Sequence, residues 1–244
     1  MSTTTTNTDR PPAISGARAR ARAEVRAAIL ATASSHVAEH GAAALSLRAV
    51  ARDLGMVSSA LYRYFPGRDE LLTALIVDAY DSLGAHTEDA VDASRALPPA
   101  QRWIDAALAI REWAVSQPHA YALLYGTPVP GYTAPDATVD PGTRVSRALV
   151  RIVRDAARDD LLDAREPGTN TVSDATADSF VWLRRELDVD VTDEILLALL
   201  LAWTQLFGLL TFELFGQTRN FVHDDALLFR DTAATMASRM GLGR

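Results

Sequence analysis

Apolar residues recur every three or four positions along most of the chain, which is the spacing of helices that bury one face. Val25, Ile29 and Ala33 follow this spacing, and Gly41 ends the helix that contains them. Farther along, apolar residues lie at offsets 0, 3, 4, 7, 10 and 11 from Trp103. No strand-like alternation and no internal repeat is present. The pattern therefore predicts an all-α fold.

Serine, glycine, proline and acidic residues between the apolar runs predict where the helices begin and end. Ser46 is the expected cap of one short helix, and Ser58 or Ser59 the expected cap of a second one that Pro66-Gly67 ends. Asp69-Glu70 opens a long helix to about Val91. A helix that contains Trp103 is predicted to open at Pro98-Pro99 and to end at Pro118. Later helices are predicted around Tyr121–Tyr125, from about Gly142 to Asp163, at about 175–187, at 192–216 and at 223–240, with loops at Thr127–Pro141 and Pro167–Asp174.

The charge is divided unevenly between the two ends of the chain. All 24 basic residues are arginine. Residues 1–68 carry nine arginines and four acids, a balance of +5, whereas residues 69–244 carry fifteen arginines and 27 acids, a balance of −12. Such asymmetry predicts that the basic end meets an anion such as nucleic acid, with a chance cluster of solvated arginines as the alternative.

Composition excludes several classes of protein. Cysteine is absent, so the chain has no disulfide framework, no thiolate zinc site and no cysteine nucleophile. The first sixteen residues contain no apolar stretch of the signal-peptide type. A cytoplasmic protein is expected, and the Thr/Ser/Pro-rich residues 1–17 are predicted to be a disordered tail.

The stretch SLRAVARDLGMVSSALYRYF, residues 46–65, predicts two short helices joined by a tight turn. Ala51 supplies a small side chain where the helices cross, Gly55 allows the positive φ of the turn, and Leu61 anchors the second helix against the first. This arrangement is typical of a helix-turn-helix, whose second helix enters the major groove of DNA. An ordinary helical corner is the alternative.

The residues that follow carry a family resemblance. The run LYRYF and then PGRDELL resembles the signature of the TetR-type repressors, in register over about residues 20–83. The stretches RWIDAALAIREWAVSQPHAYALLYGTPVPGY and AWTQLFG are similar to a subgroup of the regulatory domains in that family. Met56-Val57 and Ser58-Ser59-Ala60 depart from the usual Val-Ser and Gly-Thr. The resemblance implies a three-helix DNA-binding domain at 18–83, joined by a long helix to a ligand-binding and dimerisation domain at 84–244.

Physical reasoning assigns roles to residues of the motif. Arg48 can reach a guanine edge or form a surface salt bridge, the serines can contact DNA or only cap the helix, and the tyrosines can bind phosphate or pack in the core. The alternating Arg18, Arg20 and Arg22 form either a mobile arm on DNA or a solvated tail. The candidate DNA-binding residues are Ser46, Arg48, Val57, Ser58, Ser59, Tyr62, Arg63, Tyr64 and Arg68.

The sequence favours a dimeric repressor that binds an inverted repeat and is released by a small apolar or aromatic molecule; a ligand-independent regulator or an activator is the alternative. Aromatic residues that instead fill the core would give no pocket. The candidate pocket residues are Trp103, Trp113, His119, Tyr121, Tyr125, Trp182, Trp203, Gln205 and Phe207. The candidate dimer residues are Leu200, Phe207, Leu228 and Met236.

Two patterns point elsewhere and are given less weight. His36, Glu39 and His40 match H-x-x-E-H, a zinc-hydrolase motif that needs a third ligand and a cleft, but they lie in the last turn of the helix that braces the DNA reader, where the helix dipole favours imidazoles. Residues 195–212 contain no charge and approach the length of a membrane span, yet Thr and Gln side chains interrupt them and the flank is acidic. We expect the three residues of the H-x-x-E-H pattern to lie on a solvated helix face, and residues 195–212 to form a buried helix at a subunit interface. We expect no enzyme, metal, cofactor or membrane anchor.

Overall fold

The computed structural model describes residues 13–163 and 172–243, with side chains from Gly16 onward in those ranges. Its described part consists of helices, and the only pairing of extended chain there is a single bridge between Leu162 and Leu242. The prediction of an all-α fold is confirmed. The helices are α1 (Ala13–His40), α2 (Leu47–Asp53), α3 (Ser58–Leu61), α4 (Arg68–Ala93), α5 (Pro99–Ser116), α6 (Pro118–Tyr125), α7 (Val139–Arg158), α8 (Asp174–Leu187), α9 (Asp193–Leu214) and α10 (Asp225–Arg239).

The chain forms two compact units, Met1–Leu75 and Ile76–Arg244. The division lies inside α4, earlier than the residue 83 at which the sequence places the domain boundary. Helix α1 begins at Ala13, within the segment predicted to be a tail, because the Ala/Arg run that follows favours helix. Residues 1–12 of that tail, and most of the predicted loop Pro167–Asp174, lie outside the described residues.

The first unit is held together by apolar side chains from four helices. Each helix contributes residues at the three- and four-residue spacing that the sequence shows, so one face of each is removed from water. The fully buried members include Ile29 and Ala33 of α1, Val50 of α2 and Leu61 of α3. Burying the isoleucine, valine or leucine side chain stabilises the fold by about 1.5–3 kcal/mol each.

Helix α5 forms the centre of the second unit. Its buried small residues Ala106, Ala107 and Ala114 let neighbouring helices approach closely, and Ala233 and Ala237 do the same on α10. Helix α5 packs against α6, α7, α9 and α10. Beyond the last of these helices, Asp163 N–H donates to the Gly241 carbonyl at 2.8 Å, so the end of α10 is tied to the segment after α7.

Helix α7 is displaced toward the N-terminus from its predicted span. It begins at Val139, although the sequence predicts a loop through Pro141. Proline is tolerated in a first turn because the backbone N–H there has no helical partner to lose. The helix ends at Arg158 rather than Asp163, and Asp160 takes a left-handed conformation with φ 55°. The residues after it instead pair with the chain near Leu242.

Candidate nucleic-acid interface

The turn between α2 and α3 closes through two backbone hydrogen bonds. Gly55 N–H donates to the Arg52 carbonyl at 3.0 Å, and Met56 N–H donates to the Ala51 carbonyl at 2.8 Å. This pairing is the Schellman motif, which needs a left-handed residue at its centre, and Gly55 supplies it with φ 65°. Ala51 and Leu61 are buried on either side of the turn. The three residues singled out from the sequence therefore make the turn that it predicted.

The capping of the two short helices differs from the prediction. Ser46 lies at the N-cap of α2, but its side chain makes no capping hydrogen bond. Val57, rather than Ser58 or Ser59, is the N-cap of α3. Met56 is already tied to Ala51, so Val57 is left as the extended residue that enters the helix. Both serines thus lie in the first turn of α3, exposed to solvent.

Most of the candidate DNA-binding side chains are exposed on this unit. Val57 is 69% exposed and Tyr62 is 45% exposed, both high for their residue types. An exposed valine beside exposed polar groups suits contact with a base edge, where a thymine methyl offers an apolar partner. The exposed candidates are Arg48, Val57, Ser58, Ser59, Tyr62 and Arg63.

The remaining candidates, Ser46, Tyr64 and Arg68, are partly buried. The Arg68 guanidinium donates to the carbonyl oxygens of Ala42 and Ala43, at 3.0 and 3.3 Å. Arg68 therefore fixes the short 3₁₀ turn Ala42–Ala44 between α1 and α2. Its role as a candidate DNA-binding residue stays a prediction, but its contacts within the chain already position the helix-turn-helix. Sequence reasoning missed this role because it depends on residues 26 and 25 positions away.

A second positioning contact was also missed. His36 Nε2 lies 2.6 Å from Asp53 Oδ2, which ties α1 to α2. This hydrogen bond lowers the pKa of the Asp53 carboxyl below its ordinary value. His36 is the first histidine of the H-x-x-E-H pattern, and the ring of His40 lies 5.8 Å from its own. Among the described residues, no group of three His, Cys, Asp or Glu side chains is arranged to hold a metal.

In the second unit the structure brings four of the candidate pocket residues together. The rings of Tyr121 and Tyr125 lie 5.1 Å apart, and Phe207 lies 4.4 Å from Tyr125 and 5.9 Å from Trp203. The Tyr121 hydroxyl donates to the Phe207 carbonyl at 2.9 Å. Burial raises the pKa of Tyr125, so its hydroxyl stays protonated. Tyr80 of α4 joins the cluster at 6.3 Å from Tyr125, and no sequence pattern pointed to it.

The other candidate pocket residues are scattered. His119 and Gln205 are exposed, and so is Trp182, at 64%. Trp113 is buried and donates its indole N–H to Ser82 Oγ at 2.9 Å. Trp103 is completely buried, and its indole N–H has no hydrogen-bond partner among the described residues. These two tryptophans therefore differ in whether their one polar atom is satisfied.

The candidate dimer residues divide between the surface and the core of the chain. Leu200 is 41% exposed and Leu228 is half-buried. Phe207 and Met236 are 8% and 3% exposed, so they pack inside their own subunit. Helix α9 is long and apolar enough to cross a membrane, and one third of its most apolar stretch is buried. It also leaves apolar side chains exposed along its length: Leu200, Leu201, Trp203 and Phe212.

Two family descriptions match this arrangement. "Bacterial regulatory proteins, tetR family" matches residues 29–75, which contain the helix-turn-helix. "Tetracyclin repressor-like, C-terminal domain" matches residues 103–236, more than half of the chain. The chain belongs to the TetR family. The resemblance seen in the sequence is thereby confirmed.

Relatives extend this TetR-family match over most of the chain. The HTH-type transcriptional regulators Rv1816 of Mycobacterium tuberculosis and Mb1846 of Mycobacterium bovis are each 41% identical over 208 residues, 83% of this chain and 86% of theirs. The solved regulatory protein SCO4313 has a TM-score of 0.72 and 35% identity, over 90% of this chain and 98% of that one. A Rhodococcus sp. RHA1 protein of unknown function shares the fold, with a TM-score of 0.66, 24% identity and coverage of 90% and 95%.

Family membership settles the class of function. The protein is a DNA-binding transcriptional regulator, and its family is not one of enzymes. The zinc-hydrolase interpretation of His36, Glu39 and His40 is therefore set aside, and the structure gives His36 a bracing contact to Asp53 instead.

Proposed function

We propose that this TetR-family regulator is a cytoplasmic, dimeric repressor that binds an inverted-repeat operator and is released from it by a small ligand. The observation that carries the proposal is the exposed set of Arg48, Ser58, Ser59, Tyr62 and Arg63 around a well-packed helix-turn-helix. These side chains offer donors for base edges and phosphates on one small unit. Ser46, Tyr64 and Arg68 complete the predicted interface, with Arg68 also holding the 3₁₀ turn.

Base selectivity is assigned to the residues nearest the major groove. Arg48 can bind guanine through two hydrogen bonds, and Val57 can contact the methyl group of thymine. The serine hydroxyls of the first turn of α3 reach bases or phosphates, and Tyr62 and Arg63 hold the DNA backbone. Changes at Arg48 should alter which operator is preferred, whereas changes at Tyr62 should weaken binding to all sequences.

The exposed apolar side chains of α9 support the proposed dimer. Leu201 is 56% exposed and Phe212 is 56% exposed on a helix with no charged residue between them. Gly208 lies on the exposed side of α9 between these two, and a Cβ added there would meet nothing within 4 Å. A large exposed apolar surface on a single chain marks an interaction site. A second α9 packed across Gly208 would cover it and produce a two-fold dimer.

An effector site is supported by the unsatisfied indole of Trp103. Leaving a buried donor without an acceptor costs about 1–3 kcal/mol, and a ligand oxygen or nitrogen would remove this cost. The aromatic rings of Tyr121, Tyr125 and Phe207 belong to the same apolar core as Trp103. The ligand we propose is therefore apolar or aromatic with one hydrogen-bond acceptor. To act as an inducer it must bind one conformation better than the other.

The proposal is tested by selecting DNA that the purified protein retains from random fragments. We expect an inverted repeat to be enriched, and binding to this operator to weaken as salt rises. The Leu201→Glu variant should be a monomer in light scattering and should lose operator affinity, whereas Leu161→Glu, at an exposed leucine outside α9, should remain a dimer. Retention of a single half-site, or a Leu201→Glu dimer, would contradict the proposed assembly.

Ligand release is tested separately with the same operator. Apolar and aromatic compounds are screened for quenching of tryptophan fluorescence and for displacement of labelled operator over one concentration range. Quenching without displacement across the screen would leave a repressor that does not respond to ligands. An operator whose promoter is less active without the protein would identify an activator.

A further inference from the structure

The N-terminal half of α1 carries arginines at a helical repeat. Arg18, Arg22 and Arg26 are four residues apart, so each lies about 40° around the helix from the one before, and all three share one face. All three are exposed. We call this set the arginine stripe. Arg20 lies about 200° around the helix from Arg18, on the opposite face. Glu24 comes four residues after Arg20 and lies on the same face as Arg20.

The structure fixes the direction in which the stripe faces. The Arg22 guanidinium lies over the ring of Tyr64, 5.4 Å from its centre, and the Arg26 guanidinium lies over the ring of Phe65 at the same distance. Tyr64 and Phe65 directly follow Tyr62 and Arg63, just after α3, the helix that is proposed to enter the major groove. The stripe therefore extends along α1 from the residues that follow α3, and Arg18 continues it by one further turn.

The positive charge of the stripe is not balanced by a carboxylate in the part of the chain that the structure describes. Among the described residues, none of Arg18, Arg22 and Arg26 forms an ion pair. Like charges four residues apart on one helix face destabilise the helix, so this arrangement favours binding of an external anion. From Arg18 to Arg26 the stripe is about 12 Å long, which is about the width of the major groove of DNA.

We infer that the arginine stripe is a rigid extension of the DNA interface, which binds the phosphates flanking the groove that α3 enters. This inference rests on the proposed operator binding. It replaces the two interpretations open from the sequence, a mobile arm or a solvated tail, with a helix that has one binding face. Phosphates carry no sequence information, so the stripe adds affinity and register rather than base preference.

Arg18 and Arg20 provide the test, because they are both exposed arginines and only their helix face differs. Operator affinity is measured by fluorescence anisotropy between about 50 and 200 mM salt for the wild type, Arg18→Ala, Arg20→Ala and Arg18→Lys. We expect Arg18→Ala to weaken binding by roughly threefold or more, and to lower the salt slope by about 0.9 for each phosphate that is no longer neutralised. Arg20→Ala should match the wild type, and Arg18→Lys should retain most of the slope.

The outcomes separate this inference from the proposed function. Alanine favours helix, so circular dichroism should show unchanged helix content in both alanine variants. Equal losses of affinity in Arg18→Ala and Arg20→Ala would overturn the phased stripe and indicate a flexible arm. No loss in either, with tight binding by the wild type, would overturn the stripe as a DNA contact. A wild type that enriches no operator would instead overturn the proposed function itself.

Discussion

The two units of the chain use arginine in opposite ways. In the second unit, several arginines are tied to carboxylates of other helices: Arg102 to Asp155, Arg111 to Glu213, Arg144 to Asp81 and Glu88, and Arg184 to Asp193. In the first unit, Arg52 and Arg68 lie 3.5 and 3.4 Å from neighbouring carboxylates, and Arg68 also fixes the 3₁₀ turn. Arg18, Arg22, Arg26, Arg48 and Arg63 form no ion pair with any described residue, so most described arginines of this unit are left available for an external anion. This difference is reflected in the sequence, where residues 1–68 have a positive net charge and residues 69–244 a negative one.

The largest expected effect comes from breaking an ion pair of the second unit. The Arg111 Nε–H donates to Glu213 at 2.9 Å, and the two side chains are only 20% and 11% exposed. Replacing Glu213 with alanine leaves a largely buried cation without a partner, so we expect a loss of about 3–5 kcal/mol in the free energy of unfolding. Urea denaturation measures this loss.

Two controls accompany that variant. Asp140 pairs with Arg147 on the surface, and Asp140→Ala should cost less than about 1 kcal/mol. The double variant Arg111→Met/Glu213→Met should recover most of the lost stability, because it removes both charges. If Glu213→Ala were as stable as Asp140→Ala, the ion pairs of this unit would not hold the fold.

The reciprocal prediction concerns one arginine from each unit. Arg48→Ala should weaken operator binding by about 1–3 kcal/mol, because alanine cannot donate the two hydrogen bonds to guanine, and should leave thermal stability nearly unchanged. Arg151→Ala, which removes the ion pair to Asp92, should leave operator affinity unchanged. Anisotropy and thermal melts of both variants check this. Equal effects on operator binding would remove the distinction between the two units.

The two buried tryptophans extend the comparison, because the indole N–H of Trp113 is hydrogen-bonded, whereas that of Trp103 is one of several buried polar groups of the second unit without a partner among the described residues. Trp103→Phe and Trp113→Phe both shrink a buried ring, but only Trp113→Phe also removes a hydrogen bond, the one to Ser82. We expect Trp113→Phe to be less stable than Trp103→Phe by about 1 kcal/mol in urea denaturation. Only Trp103→Phe should weaken binding of an inducer. If Trp103→Phe were instead the less stable variant, the indole N–H of Trp103 would have a hydrogen-bond partner, which would contradict its assignment as unsatisfied.

The smallest expected effect on stability comes from Asp53, a carboxyl of the first unit that is hydrogen-bonded to His36. Its pKa is lowered in the folded protein, chiefly by the hydrogen bond from His36. A carboxyl of this kind stabilises the fold above its ordinary pKa of about 3.9 and loses that contribution as the pH falls through the lowered value. The protection factors of α2 amides in hydrogen exchange, which correct for the slower intrinsic exchange in acid, should therefore fall with decreasing pH more in the wild type than in Asp53→Asn. Parallel pH profiles would show that the pair has no stabilising role.

Local chemistry made the helix-turn-helix predictable from sequence. Gly55 is needed for a left-handed turn, Ala51 for a close crossing and Leu61 for an anchor, and all three requirements fall within eleven residues. Helical periodicity predicted most later helices for the same reason. The sequence places the start of α7 too late because proline usually breaks a helix, whereas a first turn tolerates Pro141.

The contacts that could not be predicted join residues far apart in sequence. Arg111 and Glu213 are 102 positions apart, and Tyr80 meets Tyr125 only because α4 and α6 are neighbours in the folded unit. Nothing in the local sequence distinguishes a paired arginine from an unpaired one. The anchoring contacts of Arg68 and His36 were hidden for the same reason, since one depends on how α4 meets the 3₁₀ turn and the other on how α1 meets α2.

The packing of α5 against α10 has a consequence for the order in which the chain folds. These helices are central to the second unit, yet they are separated by more than a hundred residues. Contacts of such long range form slowly, and units near the N-terminus fold first during synthesis. The contacts among α1, α2 and α3 are local by comparison. On the ribosome, the helix-turn-helix should therefore be formed well before the core around α5 closes, so a nascent chain should acquire its DNA-reading shape before the proposed dimer surface and effector site are complete.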